Sequence, residues 1–128
     1  MKFPEKLLYT DTHEWVKEEG GRVIVGLTDY AQSQLRDIVY VELPEIGSKF
    51  NRGDSIGVVE SVKTAADLFS PVTGKVAETN VTLKDSPQFI NEDPYGKGWI
   101  LKMELQDKEE LKKLLTAEAY QASLPKEE

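Results

Sequence analysis

Apolar and polar residues alternate along this chain over short stretches and rarely hold a helical period, so the pattern predicts a mainly β protein. Arg22 to Leu27 (RVIVGL) follows a Gly20-Gly21 turn signal and is β-branched and apolar, as a buried strand would be, ending near Gly26. Thr28 then caps a short helix to about Arg36, with Ala31 and Leu35 on one face. From Ile38 to Leu43 period two predicts a strand with Val39, Val41 and Leu43 on one face, stopped by Pro44. Ile56 to Val62 and Ala65 to Phe69 read as a hairpin and Lys75 to Thr79 as a further short strand; Ser86-Pro87 reads as an N-cap followed by proline at the first helical position. After the Asp93-Pro94-Tyr95-Gly96 turn, Trp99, Leu101, Met103 and Leu105 form one face of the clearest strand. Asp107 caps a helix carrying Leu111, Leu114 and Leu115, and Thr116 caps a second running to about Leu124. Short strands followed by terminal helices predict a small barrel or sandwich with helical appendages.

Composition narrows what such a domain can do. A length of 128 residues predicts a single domain, 1–128, with its β core over about 8–105 and C-terminal helices over about 107–124. The 23 acidic against 16 basic side chains leave a net charge of -7, which repels phosphate backbones and anionic membranes, so neither nucleic acid nor membrane is an expected partner. Without cysteine there is no thiol nucleophile or thiolate metal site, and with one histidine, His13, no zinc centre and no metal ligand set is expected. The opening Met1-Lys2-Phe3-Pro4 lacks the apolar segment of a secretory signal and the Arg- and Ser-rich character of a transit peptide; a bacterial cytoplasm is the expected location.

Lys63 falls at the tip of the predicted hairpin, with Gly53 and Gly74 bracketing it almost symmetrically. On position alone it is either a solvated turn lysine or an attachment site, held in one geometry by the paired strands and open to a modifying enzyme. The string Val58-Val59-Glu60-Ser61-Val62-Lys63-Thr64-Ala65, with Ser70-Pro71-Val72-Thr73-Gly74, resembles the lipoyl-attachment hairpin of the glycine cleavage H-protein family. The likeness continues through Tyr9-Thr10, His13-Glu14-Trp15-Val16, Gly26 to Gln32, Asp37 to Pro44, and Asn91 to Trp99, and so spans nearly the whole chain. Arg36 is a departure, since the family usually has glycine before the aspartate that matches Asp37.

The resemblance implies a barrel-sandwich hybrid of two small antiparallel sheets, with short helices and C-terminal helices. It implies lipoate joined to Lys63 by an amide, and a carrier role in place of catalysis, with no catalytic residue of the chain's own. Its expected partners are glycine decarboxylase (P protein), which uses pyridoxal phosphate, the tetrahydrofolate-dependent aminomethyltransferase (T protein), the flavin-dependent dihydrolipoyl dehydrogenase (L protein) and a lipoate-attaching enzyme. The carried aminomethyl group ends in an amine, and the resemblance points to Glu14 and Asp67 as the carboxylates near it; solvated surface acids are the alternative.

Other classes fit less well. Biotin carriers usually set their lysine between methionines, whereas Val62 and Thr64 flank Lys63, and lipoyl domains of 2-oxoacid dehydrogenases commonly place aspartate before the lysine. A Schiff-base enzyme would need a desolvated lysine, which a hairpin tip does not provide. An H-like protein that mainly donates its lipoyl group to other lipoyl proteins would carry the same hairpin. His13 lacks a visible nucleophile partner and is expected to be structural or a partner contact, while Trp15 and Trp99 are expected in the core or a cleft wall. Lys108-Glu109-Glu110 reads as the solvated first turn of a helix.

Overall fold

A computed structural model describes residues 1–125. The strands are β1 (Leu8–Tyr9), β2 (Glu14–Glu19), β3 (Arg22–Leu27), β4 (Ile38–Glu42), β5 (Lys49–Phe50), β6 (Ser55–Ser61), β7 (Ala65–Phe69), β8 (Gly74–Thr79) and β9 (Leu101–Leu105). They form two open antiparallel sheets, one of six strands in the order β1-β2-β3-β9-β8-β5 and one of three in the order β4-β6-β7. Accompanying them are the short α-helices α1 (Asp29–Leu35), α2 (Phe89–Glu92) and α3 (Ala117–Ser123). Among the described residues no helix is long and apolar enough to cross a membrane.

Local chemistry explains the elements. Gly20 and Gly21, at φ +48 and +78, supply the two left-handed residues that a tight β2–β3 turn requires. Thr28 caps α1 as its spacing predicts, its side chain accepting from the Ala31 amide at 3.1 Å, and Thr116 does the same for α3 through Ala119. Val25, Leu101 and Met103 of the larger sheet and Val41, Val59 and Leu68 of the smaller share one buried cluster with Ala31 and Ile90. The hairpin therefore stands on the same core as the six-stranded sheet. That burial, rather than helix or strand propensity, holds such short elements in place.

Four local expectations are corrected. Val39 does not share a face with Val41: the β4–β6 register shifts between Ile38 and Tyr40, and this bulge leaves Val39 and Tyr40 exposed in succession while Ile38 and Val41 point inward. The segment after Asp107 is a 3-10 helix, Lys108–Lys113, because Leu115 leaves it to exchange backbone hydrogen bonds with Tyr9 at 2.8 and 2.7 Å. Glu110 fixes that 3-10 helix to the chain before β8 by accepting from the Thr73 amide and hydroxyl at 2.7 and 2.9 Å. The helix expected from Ser86-Pro87 begins only at Phe89, and the Trp99 strand begins at Leu101. β1, β2 and β5 were not legible: β1 and β5 are two residues each, and only the first half of Glu-Trp-Val-Lys-Glu-Glu in β2 is buried.

Gly74 lies against β9 so closely that a Cβ would sit 2.1 Å from the Glu104 carbonyl, whereas one at Gly20 would meet open space. Gly74→Ala should therefore cost about 2 kcal/mol or more by overpacking, and Gly20→Ala only the roughly 1 kcal/mol of its left-handed backbone. Urea unfolding of both variants checks the order; equal midpoints would contradict the packing account.

Candidate functional site

The β6–β7 hairpin closes through Val62, Lys63 and Thr64, after the last pair, Glu60 with Ala65. Ser61 organises this turn. Its amide donates to the Thr64 carbonyl at 2.7 Å, and its half-sheltered hydroxyl lies 3.1 Å from the Thr64 amide and 3.3 Å from that of Lys63. The Val62 amide donates to the Asp37 carbonyl at 3.0 Å, which buttresses the tip against the chain entering β4. The Lys63 side chain is exposed, and among the described residues its amine has no ion-pair partner. A braced backbone thus carries an exposed amine.

Beside the hairpin, between β7 and α1, lies a cleft of about 250 Å³. Leu27, Ala31, Leu35 and Val59 give it apolar walls; Asp67, Gln34 and His13 line it with polar groups. Asp67 is exposed and accepts from the Ser55 hydroxyl at 3.2 Å. Along β7 it stands four residues from Lys63, about 13 Å at the rise of an extended strand.

Glu14 is placed differently. Its carboxylate is fully buried and accepts from the Thr10 and Thr12 hydroxyls at 2.6 and 2.5 Å and from the Phe69 amide at 3.2 Å. It lines a second cavity of about 380 Å³, near Arg52, Pro71 and Lys113. Thr12 borders both spaces, so Glu14 and Asp67 face adjoining compartments and do not share one. Burial pushes the Glu14 carboxyl up to about 7, against the opposing pull of its three hydrogen bonds.

His13 reaches the cleft wall through a backbone at φ +74. Its Nδ1 lies 2.8 Å from the Tyr120 hydroxyl, which lies 2.8 Å from that of Thr28. With the Ala31 amide donating to Thr28, the remaining hydroxyl protons are all used if Thr28 donates to Tyr120 and Tyr120 to Nδ1. The His13 proton then sits on Nε2. Burial lowers the pKa of His13, which keeps the ring neutral at pH 7. The fully buried Tyr120 also stacks on Tyr9 with centroids 4.8 Å apart, so α3 braces the cleft from 107 residues away. Nothing local in the sequence marks Tyr120, Thr10 or Thr12 for these roles; a serine two residues before the turn lysine was a readable turn signal. Trp15 is buried and donates to the Pro94 carbonyl, and Trp99 packs half-buried beside it, as a core reading expects.

The family model described as glycine cleavage H-protein matches residues 7–127. The glycine cleavage system H protein of Acinetobacter baumannii (strain ATCC 17978) is 55% identical over 124 residues, covering 97% of this chain and 100% of that protein. That of Listeria monocytogenes serotype 4a (strain HCC23) is 52% identical over 124 residues, covering 97% and 99%. The crystal structure of a glycine cleavage system H protein from Mycobacterium marinum superposes with a TM-score of 0.83 at 38% identity, covering 94% of this chain and 99% of that one.

The Glu14 environment makes a stability prediction. Between the ordinary value of 4.5 and about 7, the folded protein keeps a proton that the unfolded chain releases, so this group makes stability fall as pH rises across that window. Glu14→Gln cannot ionise. Its stability relative to the parent should rise by up to about 3 kcal/mol from pH 5 to pH 8, measured by urea unfolding; a difference independent of pH would contradict the buried-acid account.

Proposed function

This chain belongs to the glycine cleavage H-protein family, and from that premise we propose that it is a single lipoyl-carrier domain, 1–128, with lipoate bound to Lys63 through an amide. It carries the aminomethyl group of glycine from glycine decarboxylase to the aminomethyltransferase and is then reoxidised by dihydrolipoyl dehydrogenase. The observation that supports this most is the pairing of an exposed Lys63, without an ion-pair partner among the described residues, on a braced turn with an apolar, carboxylate-edged cleft beside it. The residues fit the group. No described residue covers the exposed amine, and the dithiolane supplies the two sulfurs that a chain without cysteine lacks.

The chain's own part is positional. Lysine and lipoate together reach on the order of 14 Å from the backbone. That span extends to about the level of Asp67 along β7, while Glu14, bonded to the Phe69 amide, stands about two strand residues further. Asp67 is thus the carboxylate that meets the protonated amine of the carried group directly. Glu14 acts from behind Thr12, where its hydroxyl partners keep a negative or neutral carboxyl ordered near neutral pH. The apolar walls exclude water from the carried group, and Ser61 keeps the anchor still while the arm swings. Docking to each enzyme must be weak, because three partners take turns; a short tether raises the local concentration to about millimolar once docked.

Two outcomes test this. Glycine cleavage reconstituted with the lipoylated chain and the three partner enzymes should proceed, and should stop with Lys63→Arg; activity retained by that variant would overturn the assignment. Loaded protein carrying Asp67→Ala should lose its aminomethyl group spontaneously about tenfold faster than the parent, with Glu14→Ala showing a smaller rise. Unchanged loss in both variants would remove the role proposed for these two carboxylates.

A further inference from the structure

Among the described residues two that are not glycine have positive φ, His13 and Arg36. The strain at His13 is offset inside the fold, by its hydrogen bond to Tyr120 and its packing on Tyr30 with ring centroids 4.9 Å apart. Arg36 differs. At φ +67 and ψ -148 it occupies a region essentially reserved for glycine, which strains any other residue. Its backbone is fixed from both sides, the amide donating to the Gln32 carbonyl at 2.9 Å and the carbonyl accepting from Asn91 Nδ2 at 2.7 Å. Glycine would satisfy those bonds without strain. The exposed guanidinium makes no hydrogen bond or ion pair among the described residues, so no described residue offsets the strain through it.

Its position suggests where the compensation lies. The bond from the Val62 amide to the Asp37 carbonyl has Arg36 one residue away on one side and Lys63 one residue away on the other. The two Cα atoms are therefore within about 13 Å. Beside that bond and running away from the tip along β4 is an exposed apolar ridge of Val62 (68%), Val39 (52%) and Tyr40 (52%), edged by the exposed acids Asp37, Glu42 and Glu60, which have no ion-pair partner among the described residues. Arg36 is an exposed cation at the tip end of this ridge, beside the amine of Lys63 itself.

We infer that Arg36 is a specificity contact for the enzyme that attaches the lipoyl group to Lys63, meeting a carboxylate of that enzyme while its basic side chains face Asp37 and Glu60. This rests on the lipoyl-carrier reading. Reach decides among the partners. The unmodified lysine extends only about 6 Å from its Cα, so the attaching enzyme must bring its surface onto the hairpin and its neighbours, whereas the others work at the end of a longer arm. In the attachment step Nζ attacks the carbonyl of an adenylate-activated lipoyl group; the amide C–N bond forms, the bond to adenylate breaks, and the amine gives up one proton. A cation at one end of an acidic rim fixes register, because a partner shifted along the ridge would oppose like charges.

The test measures attachment to the full unmodified chain, with lipoate, ATP and the attaching enzyme of the same organism. Arg36→Gly should raise Tm by about 4 °C and raise the apparent KM about fivefold with kcat unchanged. Arg36→Gln, which keeps the strain and removes the charge, should show the same KM with no gain in Tm, and Arg36→Lys should restore KM. Added NaCl should raise the parent's KM towards that of Arg36→Gln and leave the variant's nearly unchanged. An unaltered KM in both Arg36→Gly and Arg36→Gln overturns the inference. A parent chain that accepts no lipoyl group at Lys63 would instead overturn the carrier reading beneath it.

Discussion

Ser61 closes the β6–β7 turn with both its amide and its hydroxyl, and the Val62 amide ties that turn to Asp37. Everything proposed for this molecule depends on the tip being held there. A flexible arm searches efficiently only from a fixed origin, because movement of the anchor dilutes the reactive end over a larger volume. The hairpin gains its rigidity from below: Val59 and Leu68 enter the same buried cluster as Val25 and Met103, so bending it would open the core between the two sheets.

The cleft beside the hairpin is assembled from distant parts of the chain. Thr28 caps α1, whose Ala31 and Leu35 form one wall; Tyr120 bonds both Thr28 and His13; and Tyr9 stacks beneath Tyr120. The C-terminal helix is thereby part of the site although it contributes no lining residue to the cleft. Glu14 illustrates the cost of a buried charge, since even three donors do not bring its carboxyl back to the ordinary range. Its separation from Asp67 by Thr12 divides the acidic groups into one that lines the cleft beside the hairpin and one that lines the adjoining cavity.

Much of this was legible in the sequence where the signal is local. Thr28 and Thr116 act as caps, the two glycines turn β2 into β3, and the hairpin around Lys63 runs within one residue of its expected limits. Periodicity failed where tertiary pairing overrode it. The bulge after Ile38 turned Val39 outward, and Leu115 left a helical pattern to pair with Tyr9. Glu14 resembled any surface acid in composition, and only the fold brings Thr10, Thr12 and Phe69 around it. Arg36 was visible as an unusual residue, but its strained backbone arises only from the fold, which turns the chain sharply between α1 and β4.

The central claim is that Lys63 carries one lipoyl group and that the other lysines carry none. Intact-mass measurement of the protein isolated from its native source, followed by mapping of the peptide that spans Val58 to Phe69, tests it most directly. A single lipoyl amide located on Lys63 is the expected result. A protein recovered without modification from cells actively cleaving glycine, or one modified at a different lysine, would contradict it.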